Sequence, residues 1–385
     1  MPRLRRRPLL FSAAMGALVP LAAVEMVGAA TRLVQRPYES DFALYYGVTT
    51  IGLQSGFWRI YEEALRVRVW ANLATSLGGP LAPFPVIQPP TMALFVVPLA
   101  LLPFTLAYGI WLALIAASVL TAWWLAAPGE PLPRAGHLVA LIALLPVGLG
   151  LFVGQVVFFV FASVLVGWWL LRERRDVAAG LVLLLILLKP QEAALVPLAL
   201  VLVGRLRAFV TWVAGAAVVA AGSFAAIGSQ GVSAYADRLA SVSTHPQAYV
   251  SVPDLSVPSL VGGGHVGLAA TAVVLAVALF AIWAHRGRGL ELPLAIAVVG
   301  SLAATPYLHE PDTVMLVAAG WLYLRTGPPA WVVAYLVLGY VLIDLGQAPA
   351  VGWAPLVWLE VVWLGSMAVW RQRPAALSEA SPAPA

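Results

Sequence analysis

The chain contains no cysteine in 385 residues, and charged residues make up only 10% of it. Without cysteine there is no disulfide, no thiolate metal site and no thiol nucleophile, while the redox compartment stays open. So few charges, beside 62% hydrophobic residues in runs that fill nearly all of the chain after residue 90, exclude an ordinary water-soluble domain. They read instead as an all-α polytopic membrane protein. Also missing are a P-loop, a Gly-rich dinucleotide fingerprint, a zinc-binding His-Glu helix and a serine nucleophile elbow. No internal repeat and no second soluble domain is visible.

The 30 prolines and 33 glycines would break long helices in water, but membrane helices tolerate them where neighbours re-satisfy the backbone. They therefore mark kinks and span ends. Apolar runs predict spans near residues 9–28, 91–127, 137–150, 155–171, 177–188, 191–204, 208–228, 266–284, 290–304, 312–325, 330–345 and 352–370. The 91–127 run is long enough for two spans, or for a dipping helix that turns at Leu102-Pro103 and continues as one. Placing the basic clusters on one side favours the second reading: about twelve crossings with both termini cytoplasmic, against which only Arg32 and Arg36 dissent.

Residues 1–373 then form one transmembrane domain, with large extracytoplasmic loops at 29–90 and 229–265 and a disordered cytoplasmic tail at 374–385. Within the first loop, residues 56–74 read as an amphipathic helix lying in the membrane interface. The basic N-terminus and the apolar stretch after it resemble a signal, but the stretch is long enough to span and no clear cleavage site follows. The net charge of +5 sits in short clusters at span ends, which suits anchoring beside anionic lipid and gives no reason to expect nucleic acid.

Several polar residues interrupt this apolar frame, and the expected topology gathers them on the outer face. Asp41 follows the first span in the string DFALYYG. It is either an exposed loop acid capping a short helix or a general base, the group that an inverting glycosyl transfer needs to deprotonate an attacking hydroxyl. Lys189 interrupts LVLLLILLKPQEAALVPL; it is either a snorkelling lysine paired with Glu192 or a point charge for a lipid-linked phosphate.

His309, Glu310 and Asp312 cluster between two spans. His309 suits phosphate or a sugar hydroxyl, whereas two acids beside one histidine are weak grounds for a metal, so no metal and no cofactor is expected. Gln155, after Gly154, caps a helix or contacts a sugar. Arg59, Arg66 and Arg68 face lipid headgroups or a donor phosphate. Glu25, Asp344 and Glu360 lie within or at the ends of spans and are expected to point inward to partners.

In order, DFALYYG with Tyr61 following, PFPVIQPPTMALFVVPLALLPFTLAYGIWLAL, GQVVFFVFASVLVGWW, the Lys189-Pro190 segment and TPYLHEPD resemble glycosyltransferase family 87, polyprenol-phosphate-mannose-dependent mannosyltransferases with the GT-C fold. The resemblance spans roughly residues 35–325. Its most specific part is the ordered set of Pro89-Pro90, Pro98 and Leu102-Pro103 before Trp111, then Gly154-Gln155 and Lys189-Pro190.

The resemblance implies an active site on the outer face, with Asp41 as the base. It also implies a polyprenyl-phosphate sugar donor, a lipid or glycan acceptor, and inversion without a nucleotide. Tyr45, Tyr46 and Tyr61 would shape the sugar pocket. Gln88 stands with Val86 and Ile87 where aromatic residues often precede the paired prolines, and Val156 and Val157 replace an asparagine common after the glycine-glutamine turn, so the acceptor is expected to differ from the phosphatidylinositol mannoside used by the best-known member of the family. A transporter or flippase is the alternative, but it would place its polar site near the bilayer midplane and often show repeats. A noncatalytic scaffold is the third reading.

Overall fold

A computed structural model describes residues 3–36, 40–79, 86–244, 255–305 and 307–369. The expected tail 374–385, Arg371, Arg373 and Pro306 lie outside these residues. Among the described residues the chain is all helical, without strands. The helices are α1 (Arg3–Gln35), α2 (Asp41–Ser55), α3 (Glu63–Leu77), α4 (Pro90–Ala100), α5 (Phe104–Ala126), α6 (Pro131–Ala143), α7 (Leu145–Val153), α8 (Val157–Arg172) and α9 (Asp176–Val182). They continue with α10 (Leu195–Leu202), α11 (Leu206–Thr244), α12 (Val257–Leu260), α13 (Gly264–His285), α14 (Glu291–Ala304), α15 (Val314–Leu324), α16 (Ala330–Leu345) and α17 (Ala354–Val369). Short 3-10 turns cover Phe57–Arg59, Leu183–Leu188, Pro190–Ala193 and Glu310–Thr313.

Among the described residues, four helices are long and apolar enough to cross a membrane: α1 from Ala14, α5, α11 as far as Ser241, and α13. The α6–α7 pair, bent by 67°, makes a fifth if taken as one broken span. At about 1.5 Å per residue, the 23 residues of α5 extend about 34 Å, enough for a ~30 Å hydrocarbon core. The other apolar helices have 10–17 residues, so length alone does not make them spans. Large apolar side chains such as Val24, Leu106, Trp124, Val218, Leu268 and Phe280 point outward, the arrangement expected where lipid rather than water surrounds the bundle.

The core runs through α8 and α14. Every residue of α14 from Leu292 to Ala304 is buried, and α8 packs between α5, α9 and α15. The 91–127 run breaks where expected: α4 stops after Ala100, and α5 starts again behind Pro103 at its N-cap. Tyr46 donates to the Leu102 carbonyl at 2.8 Å, fastening this turn to α2.

Three expectations change. The first apolar helix does not stop at 28 but continues to Gln35, because nothing in residues 29–35 breaks a helix. The interfacial helix expected over 56–74 is two pieces. The first turn ends at Arg59, whose guanidinium grips Glu62 at 2.7 and 2.8 Å, and α3 starts only at Glu63. Between them Tyr61 turns inward, stacks on Tyr235 at 5.0 Å and donates to the Gln88 carbonyl at 3.0 Å; burying that ring outweighs helix continuity. Lastly, residues 229–244 of the second long connection are helical. Gly228 takes φ +61° inside α11, a backbone that a β-carbon disfavours, and the part beyond the kink packs back on residues 57–59.

Candidate active site

Four breaks in the helical pattern meet at one place. Asp41 is the first residue of α2, whose N-terminus is capped by Ser40, with the Ser40 hydroxyl accepting from the Ala43 amide at 3.1 Å. An acid there also faces the positive end of the helix. Gln155 follows α7 and donates through Nε2 to Asp41 Oδ2. Lys189 sits in the break between two 3-10 turns, with φ −151° and ψ 71°. The fourth break is the stretch from Tyr307 through the Glu310–Thr313 turn, which leads into α15.

Gly154 sets the position of Gln155. It ends α7 at φ +68°, a left-handed conformation that glycine adopts without steric cost. A β-carbon there would lie 3.2 Å from Phe42 Cβ and from the Trp111 indole, and that indole donates to the Gly154 carbonyl at 2.8 Å. Phe42 stacks on Tyr108 at 5.3 Å and lies 5.1 Å from Trp111. The aromatic residues behind Asp41 thus clamp the turn that carries its hydrogen-bond partner. Gly154→Ala is expected to destabilise the protein by about 1–3 kcal/mol and to lower activity more than stability, since it displaces Gln155. Melting temperature and turnover measured on the same preparation check this; unchanged values for both would show that the turn can move freely.

Charge in the cluster is tightly matched. Lys189 Nζ binds Asp312 Oδ1 and lies 3.1 Å from Glu192 Oε1, with both carboxylates fully buried. The second Asp312 oxygen accepts from the His309 amide at 2.7 Å. Two buried carboxylates facing one ammonium leave one negative charge too many, which a retained proton removes. The hydrogen bonds to Asp312 favour its ionised form and leave that proton to Glu192. Lys189 is only 8% exposed and, of its two sequence readings, the structure shows the pairing with Glu192, with Asp312 as a closer second partner.

Burial lifts the Asp41 carboxyl from 3.8 to about 6; Lys189 and the Gln155 hydrogen bond oppose the rise and Asp312 adds to it. Asp41 is therefore mostly ionised at neutral pH yet basic enough to accept a proton. Burial, joined by the Lys189 charge, lowers His309 to about 4, so it carries no charge for a phosphate. Its Nε2 lies 2.5 Å from the Tyr307 hydroxyl. The His309 side chain also accepts from the Asp312 amide, which places the ring proton on Nε2 and leaves the Tyr307 proton for a third group.

The other expected site residues divide into two groups. Tyr45, 4% exposed and edge-on to Trp111, lines a small cleft with Tyr61 and Gln88, although the Gln88 side chain bends back to its own neighbour, accepting from the Ile87 amide at 3.2 Å. Tyr46 and Arg59 serve elsewhere: Tyr46 holds the α4–α5 turn, and Arg59 pairs with Glu62 and lies over the Trp58 ring at 5.3 Å. Arg66, expected at headgroups, is 4% exposed and bound to Glu63. Tyr307 was not singled out from the sequence, and nothing local marks it. Among the described residues, no three His, Asp or Glu side chains converge as a metal site would require.

The sequence model of glycosyltransferase family 87 matches residues 87–309, more than half of the chain. That stretch contains Gln88, Gln155, Lys189 and His309 and begins after Asp41, so it is narrower than the resemblance read along the sequence. No curated protein and no solved structure matches the chain. With apolar helices long enough to span and a family match over most of the bundle, the chain belongs to glycosyltransferase family 87 and is a membrane glycosyltransferase.

Proposed function

We propose that the protein moves a hexose, mannose in the first instance, from a polyprenyl-phosphate carrier to a hydroxyl of a lipid or glycan acceptor on the extracytoplasmic face. The observation that carries this reading is the Asp41 carboxylate, held by Gln155 at the head of α2 and raised by burial to about 6. In the reaction, Asp41 takes the proton of the acceptor hydroxyl as its oxygen attacks the anomeric carbon. The bond from that carbon to the phosphate oxygen breaks, and polyprenyl phosphate leaves with the electron pair. Phosphate is a good leaving group, so no paired general acid is required. The configuration at the anomeric carbon inverts.

Gln155 keeps the carboxylate oriented, and the Lys189–Asp312–Glu192 cluster sets the local field. The hydroxyl of Tyr307, which accepts from the His309 ring and keeps its own proton free, is the neutral donor nearest in kind to what a departing phosphate needs. Tyr45, Tyr61 and Gln88 border the sugar or acceptor. The same reading places the protein in the cell envelope, with about twelve crossings made by the long helices and the shorter apolar ones together, and with both termini cytoplasmic.

The test is transfer of labelled mannose from polyprenyl-phosphate mannose into lipid, followed from pH 5 to pH 8. Because the base must be ionised, the rate should rise through about pH 6, where Asp41 titrates, and level off above pH 7. A rate that is flat across this range, with chemistry limiting, would remove Asp41 from the role. Absence of transfer from this donor and from other polyprenyl-phosphate sugars would remove the donor class.

A further inference from the structure

Away from Asp41, helices α1, α6, α14, α15, α16 and α17 surround a cavity of about 540 Å³. None of the residues around Asp41 lines it. Its wall is hydrocarbon from Ala14 and Leu18 on α1 to Val333 and Ile343 on α16, and the ten residues between the last two make it about 15 Å long. The tyrosine hydroxyls in the wall are satisfied: Tyr340 donates to the Ala140 carbonyl at 2.7 Å, and Tyr335 donates to that of Leu359. Two buried polar groups one turn apart on α17 are not. Glu360 Oε2 and the Trp363 indole N–H have no partner, and both residues are 6% exposed.

One end of the cavity is strongly basic. Arg325 follows the lining residue Leu324, and Arg134 lies one turn before the lining residue His137, which is within electrostatic reach of Arg325. Arg172 and Arg325 both lie over the Trp168 ring, at 5.1 and 4.8 Å, and Arg134 donates to the Gly129 carbonyl two residues beyond a carbonyl that Arg325 holds, so three guanidinium groups lie close together. Among the described residues the one carboxylate ion-paired with them is Glu291, 3.9 Å from Arg172. Arg325 donates to the carbonyls of Leu125, Ala126 and Ala127, which hold the group in place without cancelling its charge. The Arg134 Nε–H is buried without a partner. Trp363 is level with this end, because its ring lies 5.4 Å from that of Tyr323, two residues before Arg325.

A hydrocarbon slot with an excess of cations at one end matches, in that order, an acyl chain and a phosphate. We propose that this cavity is a binding site for an anionic glycerophospholipid of the bilayer. One chain lies between α15 and α16, and the phosphate lies at Arg134 and Arg325. The charge complementarity selects an anionic lipid over a zwitterionic one. The site is separate from the transfer centre, and its test does not depend on which sugar is moved.

The experiment is to strip the purified protein of lipid, titrate it with phosphatidylglycerol or phosphatidylcholine, and count bound lipids by native mass spectrometry. One phosphatidylglycerol should bind in preference to phosphatidylcholine. Gly320 lines the cavity, and a β-carbon there meets nothing within 4 Å, so Gly320→Leu fills the slot without disturbing packing. It should weaken phosphatidylglycerol binding by about tenfold or more while leaving the lipid-free melting temperature unchanged. Arg134→Gln should weaken phosphatidylglycerol about fivefold and phosphatidylcholine less, because the choline cation offsets part of the phosphate's attraction to the lost charge. Equal binding of the two lipids, undiminished binding in Gly320→Leu, or displacement of phosphatidylglycerol by an equal amount of undecaprenyl phosphate would each overturn the proposal.

Discussion

Asp41→Asn should abolish measurable sugar transfer, lowering the rate by about 10²–10⁴-fold as loss of a general base does, while leaving the protein folded. Asparagine keeps the size of the side chain and can still accept the Gln155 hydrogen bond, so the geometry of the cluster survives and only the proton acceptor is lost. The effect on stability has a definite sign. The folded-state value for Asp41 lies above its ordinary one, so the folded protein holds this proton more tightly than the unfolded chain does. The contribution to stability is therefore fully present below about pH 4 and is lost as pH rises through about 6. At pH 7 the neutral asparagine should melt at the same temperature as wild type or higher. Transfer assays and melting curves on one preparation measure both. An inactive variant that also melts early would indicate a structural acid, and an active one would show that the base lies elsewhere.

Lys189→Met should be the most destabilising single change in the cluster, by about 3–5 kcal/mol, because it leaves the buried, ionised Asp312 without a counter-charge. Asp312→Asn should cost much less. Glu192 already lies 3.1 Å from the ammonium and can release its proton to become the partner. The double variant Lys189→Met with Asp312→Asn should recover most of the loss, since no unpaired charge remains, and the departure from additivity measures the coupling. Melting temperatures of the four proteins in one detergent form the cycle. Strict additivity, or a Lys189→Met protein as stable as wild type, would mean that Lys189 reaches water or a ligand in the folded protein and that the pairing described above does not hold it.

The positions of the breaks were readable from the sequence because they depend on backbone chemistry. Leu102-Pro103, Gly154 and Lys189-Pro190 interrupt helices wherever they occur, since proline removes a hydrogen bond and glycine permits a left-handed turn. What the broken ends touch was not readable. Lys189 invited two local readings, a free phosphate ligand or a partner for Glu192 one turn away. Its closest partner, Asp312, lies 123 residues further along, and nothing in a single sequence pairs two such positions. Tyr46 shows the same limit: it reads as a pocket aromatic beside Asp41, yet its hydroxyl ties down a helix turn.

The sequence by itself determined the membrane class, the family and the acid at the head of the second helix, because apolar run length, proline and glycine punctuation and a lone carboxylate are properties of local chain chemistry. Only the tertiary structure decided that Gln155 holds Asp41, that Lys189 is neutralised before any substrate arrives, that His309 is uncharged, and that six helices leave a cavity with a basic rim. Each of these depends on groups far apart in the chain being brought together where water is excluded. There, low dielectric makes every charge and hydrogen bond depend on its particular neighbours.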